Sequence, residues 1–181
     1  MFEANHPLPM RKIILALAVS LDGFIEGPNG EYDWCFMDQD YGMTDFMNRI
    51  DAVFVGRRTY EMSLGMEVDT SGMPKMEEYV FSNTLDKVKD GSILVTGNIK
   101  TEVEKIKNKG GKDIWLFGGA SLTTALMNLK LIDELHLAVH PILLGGGKPL
   151  FREIAERIKL KLLDTKVYSS GLVSLKYAIE G

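Results

Sequence analysis

DAVFVGRRTYEM, residues Asp51–Met62, is the stretch on which the fold turns. An apolar run stops at Gly56, two arginines and Thr59 follow, and a helix-compatible segment begins at once. A near-continuous apolar run is what a strand covered on both faces looks like, and a strand passing straight into a helix is half of a βαβ unit. The same form recurs along the chain. KIILALAVS, YVFS, SILVTG and DIWLFGG are short apolar runs ending in glycine or serine. The stretch GMTDFMNRI between them reads as a helix, and NIKTEVEKIKNKGG reads as a better one. There Asn98 caps the start, Ile99, Val103 and Ile106 share a face, and Gly110 is the expected stop. ASLTTALMNLK places Leu122, Ala125, Leu126 and Leu129 on one expected face. Strand and helix alternating in this way predict a three-layer α/β/α domain around a mostly parallel sheet.

The last third changes character. ELHLAVHPILLGGG is a strand running into a glycine cluster. KLKLLDTKVYSSGLVSLKYAIEG then alternates with a period of two, setting Val173, Leu175, Tyr177 and Ile179 on one side. Its Ser-Ser-Gly marks a turn, so a C-terminal antiparallel hairpin is expected at the sheet edge. Residues 1–10 read as a loose arm and residues 11–181 as a single domain.

Composition narrows the function. A net charge of −4 argues against a general nucleic-acid binder, which carries a basic excess or patch. The one cysteine, Cys35, excludes an intramolecular disulfide and suits a reducing, cytoplasmic setting. No apolar run approaches the roughly 20 residues that span a bilayer, and the opening MFEANHPLPMRK lacks the pattern of a signal peptide. His136 and His140 lie four apart on an expected strand, roughly 13 Å between Cα atoms, too far to share one zinc. No metal site is expected.

In open α/β sheets ligands bind beyond the carboxyl ends of the strands. Three such ends carry suitable chemistry. Gly56-Arg57-Arg58-Thr59 offers backbone access, helix-start amides and planar guanidinium donors. Ser82-Asn83-Thr84 offers small hydrogen-bonding groups. Gly118-Gly119-Ala120-Ser121-Leu122 sets two residues without Cβ atoms before a helix, where a pyrophosphate could lie. Each has a plainer alternative, because glycines end strands at ordinary turns and Ser, Asn and Thr populate any loop. Jointly they favour a phosphate-bearing ligand.

AVSLDGFIEGPNGEYDW follows the first strand and reads as a long loop without secondary structure of its own, the kind that forms lids. Its Asp22-Gly23 is a favoured tight-turn pair as well as a candidate for chemistry. Gly145-Gly146-Gly147 either borders the site or makes a tight bend. Trp34 and Tyr60 line a pocket or belong to the core.

The ordered motifs ALAVSLDGFIEGPNG…DW, DAVFVGRRTYE, VFSNT, IWLFGGASLTTALM and LIDELHLAVHPILLGGGKPLF, with the closing hairpin, resemble the dihydrofolate reductase-like fold. Within it they are most similar to the branch holding the reductase domain of bacterial riboflavin biosynthesis, the RibD C-terminal domain, and its stand-alone homologues. The resemblance covers about Arg11 to Ile179. It implies an eight-stranded, mostly parallel twisted sheet and a bound NADPH. It places Gly56, Arg57, Arg58 and Thr59 on phosphates, with an arginine at the adenosine 2′-phosphate, and Ser82 and Asn83 along the adenosine ribose phosphate. It sets Gly118, Gly119, Ala120, Ser121 and Leu122 against the pyrophosphate and nicotinamide side. Ala18 and the segment Ser20–Asp22 would adjoin nicotinamide and substrate. It also suggests a homodimer formed through sheet-edge or C-terminal surfaces.

Departures from the family pattern shape the functional expectation. Dihydrofolate reductases carry an acidic residue on the first helix inside the pteridine pocket; Asp33, Asp38, Asp40 and Asp45 lie in that region and none aligns to that role. The single cysteine excludes the zinc deaminase domain of the bifunctional riboflavin enzymes, whose signature needs two. The expected activity is NADPH-dependent hydride transfer to a C=N or imine-like carbon of a small heterocycle, a pyrimidine of the riboflavin pathway or a pteridine-like ring. Asp22 is the leading candidate for catalytic substrate contact and Asp40 the second. The rival is a non-catalytic nucleotide-binding protein on the same fold, such as a stress-related sensor.

Overall fold

A computed structural model describes residues 10–65 and 74–180, so the expected arm over residues 1–10 lies outside the described residues except for the exposed Met10. In chain order the elements are β1 Ile13–Ser20, β2 Phe24–Glu26, α1 Met43–Asn48, β3 Ile50–Gly56, α2 Arg57–Leu64, β4 Glu77–Phe81 and β5 Ser92–Val95. They continue with α3 Ile99–Lys107, β6 Asp113–Gly118, α4 Ala120–Asn128, β7 Glu134–His140, β8 Lys148–Pro149, β9 Lys159–Val167 and β10 Val173–Glu180. Eight strands form one sheet in the order β5-β4-β3-β6-β1-β7-β10-β9. The pairs from β5 to β7 run parallel, and β10 is antiparallel to both β7 and β9. The expected α/β sheet with its terminal hairpin is therefore present.

β1 lies inside the sheet, and its alternating side chains feed two separate cores. Ile13 and Leu15 pack with Phe54, Leu116, Val103 and Leu126 on the face covered by α3 and α4. Ile14 and Ala16 pack with Trp115, Ile50 and Met47 on the face covered by α1. A run buried on both sides has no polar alternation to show, which is why KIILALAVS reads as continuous hydrophobe.

Three details differ from expectation. Helix α3 is capped by Asn98 as expected, its side chain accepting from Thr101 N, but it ends at Asn108 rather than Gly110, which lies in the following turn at φ 72°. Helix α4 buries Leu122, Thr123, Leu126 and Met127, while Leu129 is its exposed C-cap. The expected structureless loop after β1 contains β2, which pairs with β8 in a small ribbon tied by Lys148 Nζ to Glu26 Oε1 at 2.6 Å. Among the described residues no helix is long and apolar enough to cross a membrane.

The amino edge of the sheet is closed by charge. Buried Arg11 pairs with Asp51 and donates from Nε to the Lys112 carbonyl at 2.6 Å. Buried Glu134 accepts from Lys12 Nζ at 2.7 Å, Arg49 Nη2 at 3.0 Å and His136 Nε2–H at 3.0 Å. Burial alone would raise its pKa; the hydrogen bonds from His136 and Lys12 and the charge of Arg49 bring it down to about 2. The opposite edge is left for other work.

Candidate functional site

At the carboxyl edge, the parallel strands end side by side at Phe81, Gly56, Gly118, Ser20 and His140, in the sheet order β4-β3-β6-β1-β7, with Ser82 next after Phe81. The three motif-bearing ends singled out in the sequence are thus neighbours on one edge. Gly56 and Gly118–Gly119 are packed directly together. A Cβ added at Gly119 would lie 3.1 Å from Thr59 Oγ1, and one at Gly56 would lie 3.5 Å from Leu122 Cβ and 3.9 Å from Gly118 O. Gly118 and Gly119 hold φ 129° and 95°, which side-chain-bearing residues rarely adopt. Glycine is needed there twice over, for backbone conformation and for the gap.

The helices leaving this gap differ from α3. Neither α2 nor α4 has a side-chain cap, and both start from glycine, Gly56 and Gly119. First-turn amides of a helix have no intrahelical carbonyl partner, and the helix dipole adds positive character there. The uncapped starts Arg57–Thr59 and Ala120–Leu122 flank the glycine gap from its two sides. Arg57 is half committed, its Nη1 donating to both Glu61 carboxylate oxygens at 2.9 and 3.0 Å. Arg58 is exposed and makes no ion pair among the described residues.

The β4 tip is more structural than its composition suggests. Ser82 Oγ accepts from the amides of Thr84 and Leu85, each at 3.1 Å, and Asn83 Oδ1 accepts from Gly97 N at 2.9 Å. Their oxygens shape the turn and tie the β4 and β5 ends together, and Ser82 Oγ also shares a 3.3 Å hydrogen bond with Thr84 Oγ1.

On the other side of the gap, Ala18 faces the α1 side of the sheet, beside Ala138 of β7. Ser20 is buried; its hydroxyl accepts from Phe24 N at 2.9 Å and donates to Asp22 Oδ1 at 2.6 Å. Asp22 also accepts from Leu144 N at 3.2 Å and Gly145 N at 2.8 Å, so it laces the β1 end to the glycine cluster. The Ser20 hydrogen bond leads the effects that hold its pKa below the ordinary value. Asp40 accepts from Thr44 Oγ1 at 2.7 Å, Thr44 N at 2.9 Å and Gly42 N at 3.0 Å; the Thr44 bonds hold its pKa down too. Both carboxylates are ionised and engaged at neutral pH. That geometry suits them to ordering loops, and it is poor geometry for delivering a proton. In the glycine cluster, a Cβ at Gly147 would lie 2.1 Å from Glu26 O, so the backbone of the β2 strand runs where a side chain would be. Gly146 approaches Pro28, its built Cβ 3.9 Å from the ring.

The anchoring of residues 27–42 carries no signal in the sequence. This strap leaves the β2–β8 ribbon, crosses the end of β7 and enters α1. At its middle, Phe36 N donates to His140 Nε2 at 3.0 Å, and His140 Nδ1 donates to Ala138 O at 2.9 Å. Trp34 meets the imidazole edge-on at 5.3 Å between ring centroids, and Phe36 lies 5.0 Å away. The Trp34 indole nitrogen is buried with no acceptor among the described residues. Near α1, Tyr41 donates to Asp38 at 2.7 Å and shares a 3.1 Å hydrogen bond with Ser170 of the hairpin turn. Tyr60 is core, with its hydroxyl accepting from Lys89 N at 2.7 Å.

This row of glycine-floored tips on a mostly parallel sheet is matched by a known family: the model of the RibD C-terminal domain fits residues 11–174. The chain belongs to the RibD C-terminal domain family. It is 46% identical to the uncharacterized protein YyaP of Bacillus subtilis strain 168, over 98% of this chain and 100% of YyaP. Among solved structures, a Shewanella sp. PV-4 protein provisionally named for riboflavin biosynthesis superposes with a TM-score of 0.83 at 29% identity. The superposition spans 94% of this chain and 99% of that one. Dihydrofolate reductase from Enterococcus faecalis, complexed with NADP(H), superposes with a TM-score of 0.70 at 16% identity, over 94% of this chain and 97% of that one. At that identity the likeness is one of fold. Family membership makes this a reductase fold.

Proposed function

We propose that the chain is an NADPH-dependent reductase acting on a C=N or imine-like carbon of a small heterocycle, a pyrimidine of the riboflavin pathway or a pteridine-like ring. The observation that carries this reading is the packing of Gly118–Gly119 against Gly56–Thr59 between two uncapped helix starts. That is a cradle a Cβ would fill, lined by amides that favour an anion, and it fits a pyrophosphate. When bound, NADPH supplies the hydride. The chain's residues hold and orient. Amides of Arg57–Thr59 and Ala120–Leu122 take the pyrophosphate oxygens, Arg58 with Arg57 takes the 2′-phosphate, and Ser82 and Asn83 border the adenosine ribose. Ala18 and Ala138 give a flat floor on which two rings can meet. Asp22 fixes the Leu144–Gly145 rim, Gly146 and Trp34 wall the substrate side, and the strap confines water access to the rim. With Asp22 and Asp40 held ionised, the proton comes from a water admitted at the rim. The E. faecalis enzyme with NADP(H), on the same fold, supports the cofactor assignment.

The partner proposed is a second copy. Strand β9 is exposed along its length at the sheet edge, and Leu160, Leu162 and Val167 stand on it 42%, 51% and 73% exposed. An uncovered apolar edge is a pairing surface, and light scattering should show a dimer.

The test is loss of the reduced-nicotinamide absorbance when NADPH-loaded protein meets a panel of pyrimidine and pteridine substrates. Turnover of one class supports the reductase. Tight NADPH binding without turnover across the panel would leave the nucleotide-binding rival standing in its place.

A further inference from the structure

The two histidines of β7 differ in surroundings. His136 sits on the Glu134 carboxylate, whereas His140, at the carboxyl end of the strand, is the contact by which β7 holds the middle of the strap. The hydrogen-bond pattern fixes its tautomer. A backbone amide can only donate, so His140 Nε2 must carry a lone pair toward Phe36, and Nδ1 must carry the proton that goes to Ala138 O. A proton added at Nε2 would point at the Phe36 N–H and abolish that bond. We propose that His140 is a positioning residue whose neutral imidazole pins the strap over the substrate half of the carboxyl edge, and that protonation releases it. The functional consequence rests on the reading of this edge as the cofactor and substrate site.

The strap's other ties do not involve an imidazole. Tyr41 is held by Asp38 and Ser170, and Gly27 N donates to Glu31 O at 2.9 Å within the strap itself. The titratable groups on elements around His140 are Glu31, Tyr32, Asp33, Cys35, Asp38, Asp40 and Tyr41 of the strap, Asp22 after β1, and Lys166, Tyr168 and Lys176 of the hairpin. No hydrogen bond or ion pair among the described residues joins any of them to the imidazole. Asp22 is saturated by Ser20, Leu144 and Gly145, and Asp38 accepts from Tyr41. With no carboxylate to hold an imidazolium, burial pushes the His140 pKa below its ordinary value, against a smaller upward effect of the Ala138 carbonyl. The sign follows: the closed strap binds the proton less readily than the open one, so closure is complete above the ordinary histidine pKa and is lost as pH falls through the depressed one.

The experiment is amide hydrogen exchange at Phe36 on the free, full-length protein, read by NMR and corrected for intrinsic rates. The expected result is a protection factor that falls about tenfold or more between pH 7.5 and pH 5, while core amides such as Leu15 and Leu116 keep theirs. In His140→Gln the side-chain carbonyl accepts the same bond without titrating, so Phe36 protection becomes independent of pH. His140→Leu leaves Phe36 unprotected at both values. Unchanged wild-type protection across this range overturns the proposal, as does a His140→Gln profile that tracks wild type. Should the variants not fold, the wild-type titration decides alone, with the His140 ring nitrogen shifts reporting whether Nδ1 holds the proton at pH 7.5. No coenzyme enters the measurement, so failure to bind NADPH would leave the pin intact, and a pH-insensitive strap would leave the coenzyme reading intact.

Discussion

At the amino edge of the sheet a single carboxylate, Glu134, engages Lys12, Arg49 and His136, while at the carboxyl edge Gly56, Gly118 and Gly119 present no side chain at all. The same parallel strands end in both places. Running in one direction, they bring their amino ends together and allow opposite charges to saturate one another there. They also bring the strand-to-helix turns together at the other edge, where α2 and α4 start without a side-chain cap. One edge is finished by the chain itself, and the other is the edge proposed to take the coenzyme. The contrast makes separate forecasts for each edge.

The largest effect is expected at the closed edge. Glu134→Ala leaves Arg49 and Lys12 without their shared partner. Breaking a buried pair costs roughly 3–5 kcal/mol, and because both cations reach solvent the lower end, about 3 kcal/mol, is expected from chemical denaturation. Coenzyme affinity of the folded variant should not change. The same group sets the acid limit. Its depressed pKa contributes stability in full above the ordinary carboxylate value of 4.5, and that share disappears as pH falls toward about 2. Acid titration of the wild type should show this loss, and Glu134→Gln should show a smaller one.

At the open edge the order reverses, with binding changing and stability not. Arg57→Ala with Arg58→Ala should weaken NADPH about 10- to 100-fold, the worth of one or two charge-assisted hydrogen bonds, and NADH by less than about threefold. Taken singly, Arg58→Ala should account for most of that, because Glu61 already occupies Arg57. Equal weakening of the two coenzymes would mean that the arginines do not read the 2′-phosphate. Melting should shift little, since the Arg57–Glu61 pair is exposed and worth about 0.5 kcal/mol or less.

The smallest effect separates the glycines. Gly56 has ordinary extended backbone, φ −81°, and its added methyl would make normal contact with Leu122. Gly56→Ala should fold as wild type and bind NADPH about fivefold more weakly, near 1 kcal/mol of crowding. Gly119→Ala cannot make this distinction. Its positive φ and its approach to Thr59 would destabilise the fold by about 1–3 kcal/mol along with the site.

How much of this was legible depended on how local the cause was. Strands buried on both faces, the Asn98 cap and the period-two hairpin announce themselves because each is fixed by neighbours in sequence. The α4 face was misjudged at Leu129 because the helix ends one residue earlier, at Asn128. The candidate sites were legible as glycine and arginine patterns, and their adjacency followed from parallel topology. The roles of Ser82, Asn83, Asp22 and Asp40 were not. Each oxygen is taken up by an amide, and for Asp22 the partners at Leu144 and Gly145 lie far along the chain. His140 was hidden for the same reason, its partner at Phe36 being brought to it only by the fold.

The most direct test of the account is a calorimetric titration of the purified protein with NADPH and, separately, with NADH. The glycine gap between β3 and β6 predicts one NADPH per chain, bound at least about tenfold more tightly than NADH. Absence of NADPH binding, or equal affinity for the two coenzymes, would contradict it.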